Sequence, residues 1–207
     1  GELMDRIVKH RHFSEKVAAD YFAKMCRGVA HCHKNLVVHR DLKPENFLLT
    51  SKEENADLKV IDFGLSRFFK PNEVMHARVG TPYYIAPEVL EKHYRLQCDL
   101  WSVGVILYIL LSGRLPIGGK SDAQILLRVR DGRWNFAGSV WEEVSCEAKS
   151  LVKALLRRSP DDRVSAPEAL RHPWLEQADM HTAFCEQPSG ACSDTSTTTP
   201  RTTLRSD

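Results

Sequence analysis

The sequence predicts a mainly α-helical fold with short β-hairpins, and three observations support this prediction. Apolar residues recur at helical spacing after Ser14, which is a suitable N-cap. The run from Asp99 to Leu111 is apolar almost all round, as expected of a buried helix. Strand-like sequence is confined to short runs such as 58–61. Because 43% of the 207 residues are hydrophobic, the chain can bury one substantial core.

The first half of the chain is predicted to be one long helix followed by short extended segments. The apolar face of that helix consists of Val17, Tyr21, Phe22, Met25, Val29 and Cys32. A stretch of mixed polarity then covers 36–50, and a β-rich run ends at Asp62. The segment 66–87, called here the 66–87 loop, has no sustained period. A loop of that length inside a compact domain usually has a function.

The second half of the chain is predicted to be helical as far as residue 175. A capping box formed by Ser165 and Glu168 should begin the last helix, and Pro173 should stop it. The predicted helices cover 99–111, 121–130, 145–156 and 165–171.

The C-terminal residues differ in composition from the rest of the chain. Residues 186–207 are rich in Ser and Thr, and Leu204 is the one large apolar residue among them. Such a segment cannot bury enough surface to offset the entropy lost on ordering. We therefore expect one folded domain over 1–175 and a disordered tail over 176–207.

Charge and hydropathy argue against two classes of partner. Lys plus Arg number 29 and Asp plus Glu 27, so the chain lacks the basic excess typical of a nucleic-acid-binding protein. The longest apolar run, 103–111, is far shorter than the roughly 20 residues that span a bilayer. No secretory signal opens the sequence, and its six cysteines have no repeating spacing. We predict a cytoplasmic protein with reduced thiols, no nucleic-acid partner and no membrane span.

Three short motifs indicate phosphoryl-transfer chemistry. Residues 39–46 read HRDLKPEN, a string in which Asp41 can accept or orient the proton of an attacking hydroxyl and Asn46 can bind Mg²⁺. Lys43 can offset charge on the transferring group. The motif DFG follows at 62–64, and APE at 86–88. The three motifs together disfavour the alternative that 39–46 is only a solvated charged turn.

On these motifs the chain resembles a eukaryotic serine/threonine protein kinase over roughly 1–175. It resembles the calcium/calmodulin-dependent group and, within that group, the calcium-dependent protein kinases. The strings that support the resemblance are ENFLL at 45–49, VGTPYYIAPE at 79–88 and GGKSDA at 118–123. The implied fold is a kinase C-terminal lobe, a helical bundle with short β-hairpins at the catalytic loop, which is the name used here for residues 39–46.

The resemblance implies ATP and Mg²⁺ as cofactors and assigns the residues that would hold them. The implied catalytic residues are Asp41, Lys43, Asn46 and Thr81. The implied ATP-binding residues are Leu3, Glu45, Asn46, Leu48 and Asp62, of which Asn46 and Asp62 would bind the metal. Thr81 marks serine/threonine specificity, and Leu48 would form the floor of the adenine site or, alternatively, serve as a core leucine.

Two acidic residues bear on the choice of protein substrate. Glu2 and Glu45 resemble the carboxylates with which basophilic kinases bind arginine upstream of the phosphorylated residue, and a carboxylate suits the guanidinium because it can bind it in a bidentate manner. For Glu2 the alternative is a solvated residue at a helix start. We expect a preference for substrates with Arg three residues before the acceptor.

Further residues are implied to support the site without taking part in the chemistry. Glu88 should pair with Arg163, and Asp99 should hold the backbone of the catalytic loop. Phe63 is expected to pack internally.

The 66–87 loop is expected to need no phosphorylation. Ser66 is the single hydroxyl residue between 65 and 80. Arg40, which pairs with a phosphate in many kinases, could instead pair with Glu73. The alternative is that Glu73 is a solvated loop charge.

No Gly-rich lid and no strand lysine for the α- and β-phosphates occurs in the 207 residues, so the N-terminal lobe is absent from the sequence. We therefore expect negligible activity from these residues alone. Calcium regulation is expected only through segments that the sequence lacks.

Three functions remain as alternatives: a part of an active kinase, a non-catalytic kinase-derived binding module, and a small-molecule phosphotransferase of related fold. The third is disfavoured because Thr81 and the APE motif belong to a segment that holds a protein substrate.

Overall fold

A computed structural model of the protein describes residues 1–53, 55–71 and 73–176. The predicted mainly helical fold is confirmed. The helices are α1 Leu3–His10, α2 Glu15–Lys34, α3 Pro87–Leu90, α4 Cys98–Ser112, α5 Asp122–Asp131, α6 Cys146–Leu155 and α7 Ala166–Ala169. A further helical turn covers 173–176.

Two small antiparallel sheets flank the HRDLKPEN segment. Strand β1 (Val37–Val38) pairs with β4 (Arg67–Phe68), and β2 (Phe47–Leu49) pairs with β3 (Leu58–Val60). A 3-10 turn, Pro44–Asn46, leads directly into β2. The segment between β1 and β2 is therefore fixed at both ends.

The core is built around α4. Every residue of this helix is buried, because its sequence is apolar on nearly all faces. Helix α2 packs on one side of α4 and α6 on another. The contact with α6 is close: a Cβ added to Gly104 would lie 2.7 Å from the Cβ of Leu155.

Side-chain caps begin several of the helices. The hydroxyl of Ser145 accepts a hydrogen bond from the Ala148 N–H at 3.1 Å, and Ser165 and Glu168 form the predicted capping box. The last helix, predicted over 165–171, is shorter in the structure, where α7 covers Ala166–Ala169.

The prediction of a structureless 66–87 loop is partly wrong. The loop begins with β4, and Met75 forms an isolated antiparallel bridge with Tyr94 beyond it. Strands of two residues are too short to show an alternating pattern in a sequence. The predicted tail lies outside the described residues from 177 onward. None of the helices described over 1–176 combines the length and apolarity that crossing a bilayer requires.

Candidate active site

Asp41 occupies the centre of the candidate site. The hydroxyl of Thr81 donates a hydrogen bond to Asp41 Oδ1 at 2.7 Å, and the ammonium group of Lys43 lies 3.2 Å from Asp41 Oδ2. These two contacts fix the plane of the carboxylate between a neutral donor and a cation. The geometry brings together three of the residues that the sequence predicted as catalytic.

Asp99, from the first turn of α4, holds the backbone of the catalytic loop. Its carboxylate accepts hydrogen bonds from the N–H groups of His39 at 2.9 Å and Arg40 at 2.8 Å, and His33 Nε2 lies 2.8 Å from it. Burial alone would raise the pKa of Asp99. The hydrogen bond and charge of His33, with the two backbone N–H groups, outweigh burial and lower it. The predicted support of the catalytic loop by Asp99 is confirmed.

Asn46 and Asp62 provide oxygen ligands of the kind that Mg²⁺ takes. The amide nitrogen of Asn46 donates to the Asp41 carbonyl at 2.9 Å, which leaves its amide oxygen as an acceptor. Asp62 is exposed, and one of its carboxylate oxygens accepts from the Gly64 N–H at 3.2 Å. The Ile61 N–H bonds the Asn46 carbonyl at 3.0 Å, so the two side chains come from adjoining backbone. This donor set fits a magnesium ion.

Phe63 does not pack internally as predicted. Its side chain is 46% exposed, and its ring contacts that of His39 at a centroid distance of 5.0 Å. The neighbouring Leu65 and Phe68 are also exposed. Asp62 has a left-handed backbone (φ 60°, ψ 72°), and a 3-10 turn, Phe63–Leu65, follows it.

Thr81 is positioned by the turn that follows Gly80. The Thr81 carbonyl accepts from the N–H groups of Tyr84 and Ile85, each at 3.0 Å. Gly80 has φ 113°, and a Cβ there would lie 2.9 Å from the Arg40 carbonyl oxygen. Glycine is thus required where the 66–87 loop passes over the catalytic loop.

Glu45 has a buried and unpartnered carboxylate oxygen. Its Oε2 atom is inaccessible to solvent and has no hydrogen-bond partner among the described residues. Burial, followed by the negative charge of Glu45, raises the pKa of the nearby Tyr84. A buried carboxylate oxygen without a partner is energetically costly.

Glu2 and Leu48 are brought to the same edge of the site. They form an isolated antiparallel bridge, and α1 packs against the turn that contains Glu45. Glu2 is exposed and Leu48 is half-buried, so both have surface available to a ligand.

The predicted contact of Leu3 with ATP is wrong for this structure. Leu3 has no exposed surface and belongs to the hydrophobic core. As a residue of the first turn of α1, it points its side chain inward and has no surface to offer to a nucleotide.

Comparison with known proteins agrees with this geometry. Residues 1–175 match the family described as "Protein kinase domain". The chain belongs to the protein kinase family. It is similar to plant calcium-dependent kinases, which supports the serine/threonine class.

Three relatives show the extent of the similarity. Calcium-dependent protein kinase 25 of Arabidopsis thaliana is 48% identical over 176 residues, which cover 84% of this chain and 34% of that protein. Calcium-dependent protein kinase 11 of Oryza sativa subsp. japonica is 50% identical over 175 residues, 84% of this chain and 30% of that protein. Calcium-dependent protein kinase 7 of the same rice is 46% identical over 189 residues, 91% of this chain and 35% of that protein. This kinase chain thus spans about a third of the length of the curated relatives it matches.

The APE motif is joined to the kinase core by a buried ion pair. Glu88 and Arg163 form two hydrogen bonds, at 2.6 and 3.1 Å, and both are almost fully buried. Arg163 also donates to the Gln97 carbonyl at 2.7 Å. The predicted pair is confirmed.

The predicted pairing of Glu73 with Arg40 is wrong. Glu73 pairs with Arg67 and accepts from the Lys70 N–H at 2.9 Å. That backbone N–H, followed by the charge of Arg67, lowers the pKa of Glu73. Arg40 instead donates from Nε to the Leu65 carbonyl at 2.7 Å.

Two residues that support the kinase site escaped the sequence analysis. His33 contacts Asp99, which lies 66 positions later, and the Tyr94 hydroxyl lies 3.3 Å from Arg40, 54 positions away. Neither residue belongs to a short motif. No local signal in the sequence identifies contacts of such separation.

Proposed function

We propose that this chain forms the part of a serine/threonine protein kinase that holds the acceptor hydroxyl and Mg²⁺ during transfer of the ATP γ-phosphate to a protein. The observation that supports this most strongly is the Asp41 carboxylate held between Thr81 at 2.7 Å and Lys43 at 3.2 Å. A carboxylate in that setting can orient a hydroxyl and accept its proton.

Asp41, Lys43 and Thr81 have distinct proposed roles. Asp41 orients the Ser or Thr hydroxyl of the substrate and receives its proton as the oxygen attacks the γ-phosphorus, while the bond to the bridging oxygen breaks and ADP leaves. Lys43 offsets negative charge on the transferring group. Thr81 holds Asp41 in place and does not exchange protons. Catalysis of this kind depends mostly on positioning and charge.

Asn46 and Asp62 are the proposed metal ligands. The amide oxygen of Asn46 and the carboxylate of Asp62 would hold Mg²⁺ beside the catalytic loop. The ion would supply positive charge that neutralises the phosphates. Leu48 and the backbone of Glu45 are proposed to form the lower face of the ATP site.

Glu45 is the proposed determinant of substrate choice. Its side chain is partly exposed, and its carboxylate would form a charge-assisted hydrogen bond with a substrate arginine. Glu2, which lies at the neighbouring start of α1, adds a second carboxylate. We expect Arg three residues before the acceptor to be preferred.

The 207 residues alone are expected to have negligible turnover, because the Gly-rich loop and strand lysine that kinases place over ATP do not occur among them. Calcium regulation would require segments outside this sequence. A cytoplasmic location stays a prediction.

A chimaeric kinase tests the proposed catalytic role. The part of Calcium-dependent protein kinase 25 of Arabidopsis thaliana that precedes its matched region is joined ahead of Gly1, and phosphate transfer from ATP to a Ser-containing peptide is measured. Asp41→Asn should lower kcat by about a hundredfold or more. The exposed Asp161→Asn is the control and should leave kcat unchanged. A folded chimaera that binds peptide but transfers no phosphate would instead favour the non-catalytic binding module.

A pair of peptides tests the proposed specificity on the chain itself. Binding of a Ser peptide with Arg three residues upstream is compared with binding of the same peptide with Ala there. The Arg peptide should bind about tenfold more tightly, and Glu45→Gln should remove most of that difference. Equal affinities for the two peptides in the unmutated protein would reject the arginine preference.

A further inference from the structure

Tyr94 links the 66–87 loop to the body of the domain through its backbone. It lies between α3 and α4 and is 1% exposed. Its carbonyl accepts from the Met75 N–H at 2.8 Å, and its N–H donates to the Met75 carbonyl at 3.2 Å. This bridge fixes the middle of the loop against the chain that enters α4.

The hydroxyl of Tyr94 connects two further segments. It donates to the Ala77 carbonyl at 2.7 Å and accepts from a guanidinium nitrogen of Arg40 at 3.3 Å. Burial raises the pKa of Tyr94, so the hydroxyl keeps its proton at neutral pH and remains a donor. One neutral group thus joins the catalytic loop to the 66–87 loop.

These contacts form a closed series of interactions around the catalytic carboxylate, called here the circuit. Ala77 lies four positions before Thr81, which donates to Asp41 at 2.7 Å. Asp41 directly follows Arg40, which returns the circuit to the Tyr94 hydroxyl. A shift of the 66–87 loop at Ala77 would therefore reach the contact between Thr81 and Asp41.

We propose that Tyr94 is a positioning residue: its hydroxyl holds Arg40 and Ala77 together and so keeps Thr81 on Asp41. In this arrangement a neutral side chain of the domain orders the 66–87 loop. The catalytic consequence of the arrangement rests on the proposed kinase function, whereas the structural consequence does not.

Tyr94→Phe tests the proposal, with Tyr108→Phe as the matched control. Both tyrosines are buried, and the Tyr108 hydroxyl likewise donates to a loop carbonyl, that of Asn135, at 3.0 Å. Each variant loses one hydrogen bond from a hydroxyl to a loop carbonyl, and Tyr94→Phe alone also loses the contact with Arg40. The two variants should lose similar global stability in chemical denaturation.

Amide hydrogen exchange of the full 207-residue chain gives the deciding readout. In Tyr94→Phe the N–H groups of Met75, Tyr84 and Ile85 should exchange about five- to tenfold faster, and trypsin should cleave faster after Arg78. In Tyr108→Phe these rates should match the unmutated protein. Equal rates in all three proteins would overturn the proposal.

A second variant decides the question where Tyr94→Phe does not fold. Arg40→Gln removes the charged donor to the Tyr94 hydroxyl while the ring stays in place. In this variant the N–H groups of Met75, Tyr84 and Ile85 should exchange faster by a similar factor. Unchanged exchange in folded Arg40→Gln would reject the circuit.

The catalytic consequence is read in the chimaera described above. Tyr94→Phe should lower kcat about five- to tenfold and leave KM for ATP unchanged, because the hydroxyl acts through Asp41. Faster exchange without any kinase activity in the unmutated chimaera would reject the proposed function and keep the positioning role. Full activity with normal exchange in Tyr94→Phe would reject the positioning role alone.

Discussion

The guanidinium of Arg163 and the carboxylate of Glu88 meet 75 positions apart in the sequence and form two hydrogen bonds inside the core. The guanidinium also lies 5.3 Å from the ring centroid of Trp101 on α4. The pair therefore joins the end of the 66–87 loop to the central helix. Its burial makes it sensitive to the loss of either partner.

Arg163→Ala should destabilise the fold by about 3–5 kcal/mol, because it leaves the Glu88 carboxylate buried without a partner. The control is Arg158→Ala, which breaks an exposed pair with Glu91 of 3.2 Å and should cost less than about 1 kcal/mol. The free energy of unfolding is measured in urea for both variants. Similar losses in the two would contradict the importance assigned to burial.

Gly104→Ala should destabilise the packing of α4 on α6. A Cβ at this position would lie 2.7 Å from Leu155 and 3.0 Å from Leu156, and such overpacking costs about 1–3 kcal/mol. Gly118→Ala is the control, because a Cβ there meets no atom within 4 Å. Thermal unfolding should show a lower Tm for Gly104→Ala and little change for Gly118→Ala. A Gly104→Ala protein of unchanged Tm would mean that α6 moves away without cost.

Asp99 should make stability depend on pH in the acid range. Its pKa is lower in the folded protein than in the unfolded chain, so its ionisation stabilises the fold above the unfolded pKa. That contribution is lost as the pH falls below about 4 toward the folded pKa. Unfolding free energies of the unmutated protein and Asp99→Asn should differ most at pH 6–7 and converge in acid. A difference that stays constant down to the acid limit would show that charge is not the cause.

The thiols should react at very different rates. Burial raises the pKa of Cys26 to about 12 and that of Cys98 well above its usual value, whereas Cys146 is exposed. Since the thiolate is the nucleophile, Cys26 and Cys98 should react with iodoacetamide at pH 8 at least about a hundredfold more slowly than Cys146. Peptide-level mass spectrometry measures each site, with the urea-unfolded protein as the control. Rapid labelling of Cys26 in the folded protein would mean that α2 opens readily.

The helices could be predicted where their pattern was strong. The apolar run 99–111 became α4, Cys98–Ser112, because a helix that is hydrophobic on every face can only be buried. The predicted cap Ser14 located the start of α2, and the predicted ranges 121–130 and 145–156 match α5 and α6 within a residue or two. The pairing of β1 with β4 escaped prediction because it joins two-residue strands about thirty positions apart.

The catalytic motifs were also readable, because they are short and local. HRDLKPEN placed Asp41, Lys43 and Asn46 within six positions, and DFG placed Asp62. The errors fell on residues whose surroundings the short motifs do not specify. Leu3 lies in the core, and Phe63 lies at the surface. Glu73 pairs with Arg67 rather than with Arg40.

The sequence by itself determined the fold class, the helix starts and the identity of the residues at the candidate site. These depend on periodicity, capping and contiguous motifs, all of which act over a few positions. Only the tertiary structure decided that His33 meets Asp99 across 66 positions and that Tyr94 meets Arg40 across 54. Contacts of that separation form because burial of the helical core brings distant segments together, and no local pattern records them.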